Sequence, residues 1–331
     1  MQEPVKHPWE VERRRRERLK LRILSAVAVA VIVVISAVGI ALIPEAGPSA
    51  DEQWAEAQAA IEAGKLDAAV VHLRSTLQAA PDHAQARERL GDLLLNGADP
   101  AGAEKEYRRA VALGAMRPTD ARLLKAMFQQ GQHEAIIASL GVSGDLDADQ
   151  HAVVGMSYLA LSRHDGAKAH FEQAIRLEPT HVSARLGGIE AMAMTGELAR
   201  AYQQLEVLYR EAPRFDVAMS KGRLAAETHR FEAAHDAYAH ALKQQPRSTE
   251  ARLNTVGMLL ELGRYDDVAP KLRPLVKPKI RISRAGYFQG LSHFYAGRYD
   301  EARRSLLNTL TVDQNHLPSV ALLGLTHLRL G

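Results

Sequence analysis

The sequence predicts an all-α protein, a stack of helix–turn–helix units behind a single membrane-spanning helix. Two observations carry this expectation. Small and large residues recur in register columns through residues 50–331, and residues 23–43 form an uncharged apolar run directly after a basic tail. The chain also has no cysteine, so disulfides, thiolate metal sites, a thiol nucleophile and a lipid-acceptor cysteine are all excluded.

The columns come first. The small slot of each unit's first helix is filled by Ala57, Gly91, Gly155, Gly222, Gly290 and Gly324. That of the second helix is filled by Ala69, Ala103, Ala167, Ala201, Ala234 and Ala302. A large slot runs through Leu73, Tyr107, Phe171, Leu205, Tyr238, Leu272 and Leu306, and a closing proline recurs as Pro81, Pro179, Pro213 and Pro246. The step from Ala57 to Gly91, and from Ala69 to Ala103, is 34 residues. One unit, His151 to Pro179, reads HAVVGMSYLALSRHDGAKAHFEQAIRLEP, with Val154, Gly155 and Tyr158 followed by Ala167, Phe171, Ala174 and Pro179. This spacing resembles the tetratricopeptide repeat (TPR) pattern. The resemblance implies a TPR solenoid, a right-handed superhelix in which Gly155 admits the partner helix and Phe171 fills the gap. Neither helix of a unit can bury its apolar face alone, so the units must stack. A generic Ala-rich bundle would have no reason to hold a fixed period.

Residues 1–22 hold eight Lys or Arg against four Glu, a net of +4, whereas the whole chain carries +3, which leaves about −1 for residues 23–331. The basic character therefore belongs to the tail, and a nucleic-acid role for the array has no charge support. Ile23 to Ile43 contains no charge and would span about 31 Å as a helix, the thickness of a bilayer core. Pro44, Gly47 and Pro48 break it, so residues 44–49 read as a linker. Basic residues before the run and none just after place the N-terminus in the cytoplasm and the repeats on the far side. A cleaved signal peptide would have a shorter apolar core and a small-residue cleavage site, and neither is present. Arg15-Arg16 begins a loose twin-arginine pattern, but Arg18 stands where that signal takes an apolar residue. The expected location is the inner membrane, single-pass, with a periplasmic array.

The array, residues 50–331, holds about eight and a half repeats. Units one and two read as regular. The third is short: Thr119–Gln130 is its first helix, Gly131 its turn and His133–Leu140 its second helix, ended by Gly141, Ser143 and Gly144. The seventh carries Pro270, Pro274 and Pro278, which predicts a short or kinked second helix. The ninth begins at Leu317. Its helix, SVALLGLTHLRLG, is apolar on the face that meets a partner helix, which favours a longer protein, the alternative being a second chain that covers it.

The segments AGKLDAAVVHLRSTLQAAPDHAQARERLGDLLL, DPAGAEKEYRRAVALGA and LLKAMFQQGQHEAIIASL resemble the start of the large TPR proteins of exopolysaccharide and PEP-CTERM protein-sorting systems in Gram-negative bacteria. The resemblance covers about residues 55–140, and beyond them it is generic. It implies a place outside the cytoplasm. Those proteins are typically periplasmic lipoproteins, whereas this chain lacks the lipobox cysteine and has an apolar helix in its place.

No catalytic motif stands in the sequence: no G-x-S-x-G, Walker A, H-E-x-x-H or G-x-G-x-x-G. The fourteen histidines include no pair at i, i+4 with a carboxylate cluster, so neither a metal site nor a cofactor is expected. Two surfaces remain. The inner groove, lined by first helices, is expected to expose Met156, Leu186, Met219, Leu253, Tyr287 and Leu291, an apolar lane suited to an extended peptide or amphipathic helix, unless these residues are buried between repeats. Lys271, Arg273, Lys277, Lys279, Arg281 and Arg284 form a basic run without an acid, either a contact for an acidic partner or anionic polymer or a solvated loop.

The expected function is a membrane-anchored scaffold, not an enzyme, that binds protein partners of an envelope assembly such as one for exopolysaccharide synthesis or export. The alternative is a regulatory or substrate-presenting subunit of an envelope enzyme complex.

Overall fold

The computed structural model describes residues 48–118, 120–139, 145–276 and 282–331. The expected tail and membrane span, residues 1–43, lie outside them. Among the described residues no helix is long and apolar enough to cross a membrane. These residues form seventeen α-helices and no strand. The chain divides into two compact units at Leu93 and Leu94.

In the first unit lie α1 (Ala50–Glu62), α2 (Leu66–Ala79) and most of α3 (Ala84–Asn96). Ser49 starts α1 with a full capping box: its side chain accepts from the Glu52 N–H, and the Glu52 carboxylate accepts from the Ser49 N–H. Ala57, Ala69 and Leu73 are fully buried where α1 meets α2.

The second unit continues with α4 (Pro100–Ala112), α5 (Ala121–Gln129), α6 (His133–Ser139), α7 (Ala148–Ala160), α8 (His164–Leu177), α9 (Val182–Met194), α10 (Leu198–Glu211), α11 (Phe215–Glu227) and α12 (Phe231–Gln244). It ends with α13 (Thr249–Glu261), α14 (Val268–Leu272), α15 (Ser283–Tyr295), α16 (Tyr299–Leu310) and α17 (Leu317–Leu330). Consecutive helices pair as repeats: α7 with α8 is repeat four, α9 with α10 repeat five, α11 with α12 repeat six, α13 with α14 repeat seven, α15 with α16 repeat eight. α17 opens repeat nine. In the second unit, second helices also pack on the next first helix, as α8 on α9, α10 on α11, α12 on α13 and α16 on α17.

The two irregular repeats have short second helices, while the expected helix end at Leu140 and the breakers Gly141, Ser143, Gly144 and Pro278 lie outside the described residues. α6 has only 7 residues. Glu104 ties this short repeat to α4, accepting from Gln130 Nε2 at 2.6 Å and Gln132 Nε2 at 2.8 Å. In repeat seven the second helix begins as a 3-10 turn, Tyr265–Asp267, and α14 runs for 5 residues around Pro270, whose missing N–H cannot extend a regular ladder.

Every repeat turn is closed the same way. In repeat one the Gly64 N–H donates to the Ile61 carbonyl and the Lys65 N–H to the Ala60 carbonyl, the paired bonds of a Schellman motif. The turn residue is left-handed, φ +69° at Gly64. The same conformation falls on non-glycines at Ala98 (φ 62°), Ser162 (φ 56°) and His229 (φ 56°).

Phe171 shows why the columns hold. A Cβ built on Gly155 would stand 2.7 Å from Phe171 Cε1, and one on Gly187 of the next repeat would come closer still. Tyr238 fills the slot against Gly222 and Leu306 that against Gly290 in the same manner. At Gly324, among the described residues, no heavy atom beyond its own stretch of helix backbone lies within 4 Å of the place a Cβ would take.

Candidate partner-binding face

First helices of successive repeats touch one another in the second unit: α5 with α7, α7 with α9, α13 with α15, and α15 with α17. Their shared face carries the lane expected to bind partners, and the structure divides its six residues. Leu186 is 9% exposed and Leu253 5% exposed. Leu186 sits in the cluster of Tyr202, Leu205 and Leu224, and Leu253 in that of Val256, Leu259 and Leu272. These two are core between helices rather than groove surface. Their aliphatic side chains stand where the next helix stacks, and stacking removes them from water. Met219 packs in part against two clusters, and Met156 in part against that of Ala152, Leu159 and Phe171. Tyr287 and Leu291 are half-buried, and the Tyr287 ring lies 5.5 Å from that of His316.

Two apolar residues missing from the sequence-derived lane are more exposed than any of these. Met194 is 54% exposed and Tyr295 59%. Each stands two helical turns after a lane residue, Met194 after Leu186 and Tyr295 after Tyr287, so extending the helical period would have found them. Tyr295 stacks on Tyr265, with centroids 5.7 Å apart and planes at 18°.

The rest of the face is charged. Asp149 accepts from Lys125 Nζ at 3.2 Å and faces His181 Nε2 at 3.3 Å. Burial pushes its carboxyl up, but hydrogen bonding and charge from Lys125 and His181 outweigh this and hold it below the usual value. Glu190 accepts from the Ser220 hydroxyl at 2.9 Å and pairs with Arg223 at 3.5 Å, linking α9 to α11. Arg223 also reaches Glu227 at 3.1 Å. Burial pushes the Tyr238 hydroxyl up to about 12, with Arg223, Glu227, Glu250 and Arg284 all acting on it.

Of the basic run, Lys271, Arg273 and Arg284 are exposed. Lys277, Lys279 and Arg281 lie outside the described residues. The Arg284 guanidinium lies over the Phe288 ring at 5.2 Å, a cation–π contact.

The histidines form packing pairs that helical spacing within one helix could not reveal. His151 on α7 and His170 on α8 meet at 2.9 Å between Nδ1 atoms, and Tyr158 stacks on His170 with centroids 5.3 Å apart. His240 meets the Tyr209 hydroxyl at 2.6 Å. Among the described residues no three His, Cys, Asp or Glu are grouped to hold a metal. A separate apolar pocket of about 280 Å³ opens between α8, α9 and α10, lined by Ile175, Gly188, Met192 and Val207 among others.

The tetratricopeptide-repeat family matches residues 60–128 and 158–224, and a second family of the same repeat matches residues 219–272. The chain carries tetratricopeptide repeats. Among solved structures it is similar to YrrB, a TPR protein with an unusual peptide-binding site: 16% identity, TM-score 0.48, covering 57% of this chain and 97% of YrrB. It is also similar to pilF of Pseudomonas aeruginosa, at 22% identity and TM-score 0.45, covering 61% of this chain and 95% of pilF. A tetratricopeptide repeat protein from Parabacteroides merdae matches at 12% identity and TM-score 0.42, covering 85% of this chain and all of that one. No curated protein matches the sequence. The family matches show the repeats and do not show the exopolysaccharide and PEP-CTERM resemblance.

Proposed function

We propose that this chain is a TPR scaffold, held in a membrane by Ile23–Ile43, whose array lies outside the cytoplasm and gathers protein partners of an envelope assembly, with exopolysaccharide synthesis or export as the pathway. One observation carries the binding role: a first-helix face in repeats four to eight that keeps apolar side chains, Met194 and Tyr295 above all, open to solvent beside fixed charges. A rigid scaffold that presents such a surface binds without reordering itself, so little of its contact energy is spent on organisation. The anchor and its orientation rest on the uncharged run and on the bases from Arg13 to Arg22 that precede it.

The test is residue-specific photocrosslinking in membranes, with a crosslinker at position 194 or 295 and mass spectrometry of the adducts. Adducts to envelope proteins at these positions, absent when the crosslinker is moved to Lys168 on a second helix, are expected. Adducts only to cytoplasmic proteins would overturn the placement, and none at either position would overturn the face. A reporter active only outside the cytoplasm, fused after Leu66, should be active.

A further inference from the structure

We infer that the first-helix lane of repeats six to eight takes an extended peptide segment that is basic in one half and apolar or aromatic in the other. This rests on the scaffold reading and specifies the chemistry of its partner.

The lane changes character at α15. In repeats four to seven its exposed and half-buried positions carry Asp149, Glu190, Asp216, Glu227, Glu250 and Glu261, with Arg223 as the single base. Arg223 is engaged by Glu190 and Glu227, and Asp216 pairs with Arg214. Glu250 and Glu261 are exposed and make no ion pair among the described residues. Lane positions of α15 hold no acid. They carry Tyr287, Leu291, Phe294 and Tyr295, with Arg284 at the near end. The Tyr265–Tyr295 stack fixes the exposed ring as a platform. The acidic and aromatic halves adjoin, because α13, which carries Glu250 and Glu261, packs on α15.

The two acids outside these pairs, Glu250 and Glu261, attract Lys or Arg and repel anions, and low salt widens their reach. An anionic polymer or acidic peptide laid here would meet Glu250 and Glu261 without a paired base, beside a Glu227 that shares Arg223 with Glu190. An amphipathic helix separates its charged and apolar groups around its axis, whereas this surface separates them along its length. An extended chain does the same. Packed helix axes lie about 8–10 Å apart and an extended residue spans about 3.3 Å, so roughly three residues cross each repeat. Basic and apolar anchors should therefore stand about three to six residues apart.

A random library of 12-residue peptides displayed on ribosomes, selected on the full chain in lipid nanodiscs, tests this. Enriched peptides should carry two or more Lys or Arg set three to six residues from Leu, Phe, Tyr or Trp. One enriched peptide, made synthetically and labelled, is then titrated by fluorescence anisotropy. Changing Glu227, Glu250 and Glu261 together to Gln should weaken it at least tenfold and flatten its salt dependence. Leu291→Ala with Tyr295→Ala should weaken it at least tenfold and leave the salt dependence as it was. Tyr295→Ala alone, at an exposed position, should lose several-fold and serves if the double variant loses helicity. Enrichment of acidic or uncharged peptides, or indifference to both sets of variants, would overturn the bipartite reading and leave peptide binding intact. No enrichment of any peptide would overturn both.

Discussion

A methyl group at position 155 would stand 2.7 Å from Cε1 of Phe171, closer than side-chain carbons pack. Gly155→Ala should therefore destabilise repeat four by about 1–3 kcal/mol, the usual cost of overpacking. Phe171→Ala, which empties the slot, should cost about 3–5 kcal/mol by itself and should remove most of the penalty of Gly155→Ala when the two are combined. Hydrogen exchange of α7 and α8, followed by mass spectrometry, reads this locally. Additive losses in the double variant would mean that the two sites do not share the slot.

Adjacent glycines should respond with opposite sign. A Cβ on Gly187 runs into the Phe171 ring, whereas one on Gly188 meets only Phe171 Cβ at 3.7 Å and faces the pocket beside Ile175 and Met192. Gly188→Ala should stabilise α9 by about 0.5–1 kcal/mol through helix propensity, and Gly187→Ala should destabilise it. Thermal unfolding by circular dichroism separates them, and equal shifts would contradict the slot geometry.

The turns predict a third effect. Ala98 holds φ 62°, a conformation that costs a residue with a Cβ about 1 kcal/mol or more. Ala98→Gly should recover about 1 kcal/mol, less some unfolded-chain entropy, and Gly64→Ala should lose about the same. Denaturant midpoints measured on both variants check the signs.

The His151–His170 contact predicts a pH dependence. Burial lowers both imidazoles below 6.5, opposed at His151 by Asp147, and the His151 charge lowers His170 further. Below 6.5 the unfolded chain binds protons that the folded one resists, so stability is full above about 6.5 and falls with pH down to the depressed folded values. His151→Gln copies the pair that Gln53 and His72 make at 3.0 Å in repeat one, and it should flatten the slope between pH 7 and 5. In an NMR titration both ring signals should move below 6.5, and a midpoint at or above 6.5 for either would refute the assignment.

The periodic part of this protein was readable in its residues because a repeat writes the same packing problem many times. Gly155, Gly222 and Gly290 each face a large side chain of the same column, and Pro270, with Pro274 and Pro278, foretold the short α14. The lane was only half readable. Leu186 and Met194 belong to one helix and are both apolar, yet one is buried and the other is 54% exposed.

Residue order alone set the local features: helix length, turn position, and which small residue must meet which large one, all consequences of helical period and side-chain volume within about 34 residues. Burial of Leu253, the meeting of His151 with His170, and the change from acidic to aromatic surface at α15 were decided by the tertiary structure. Each depends on which face of a helix the neighbouring helix covers, and that is set by the angle at which whole helices stack, a quantity no single residue carries.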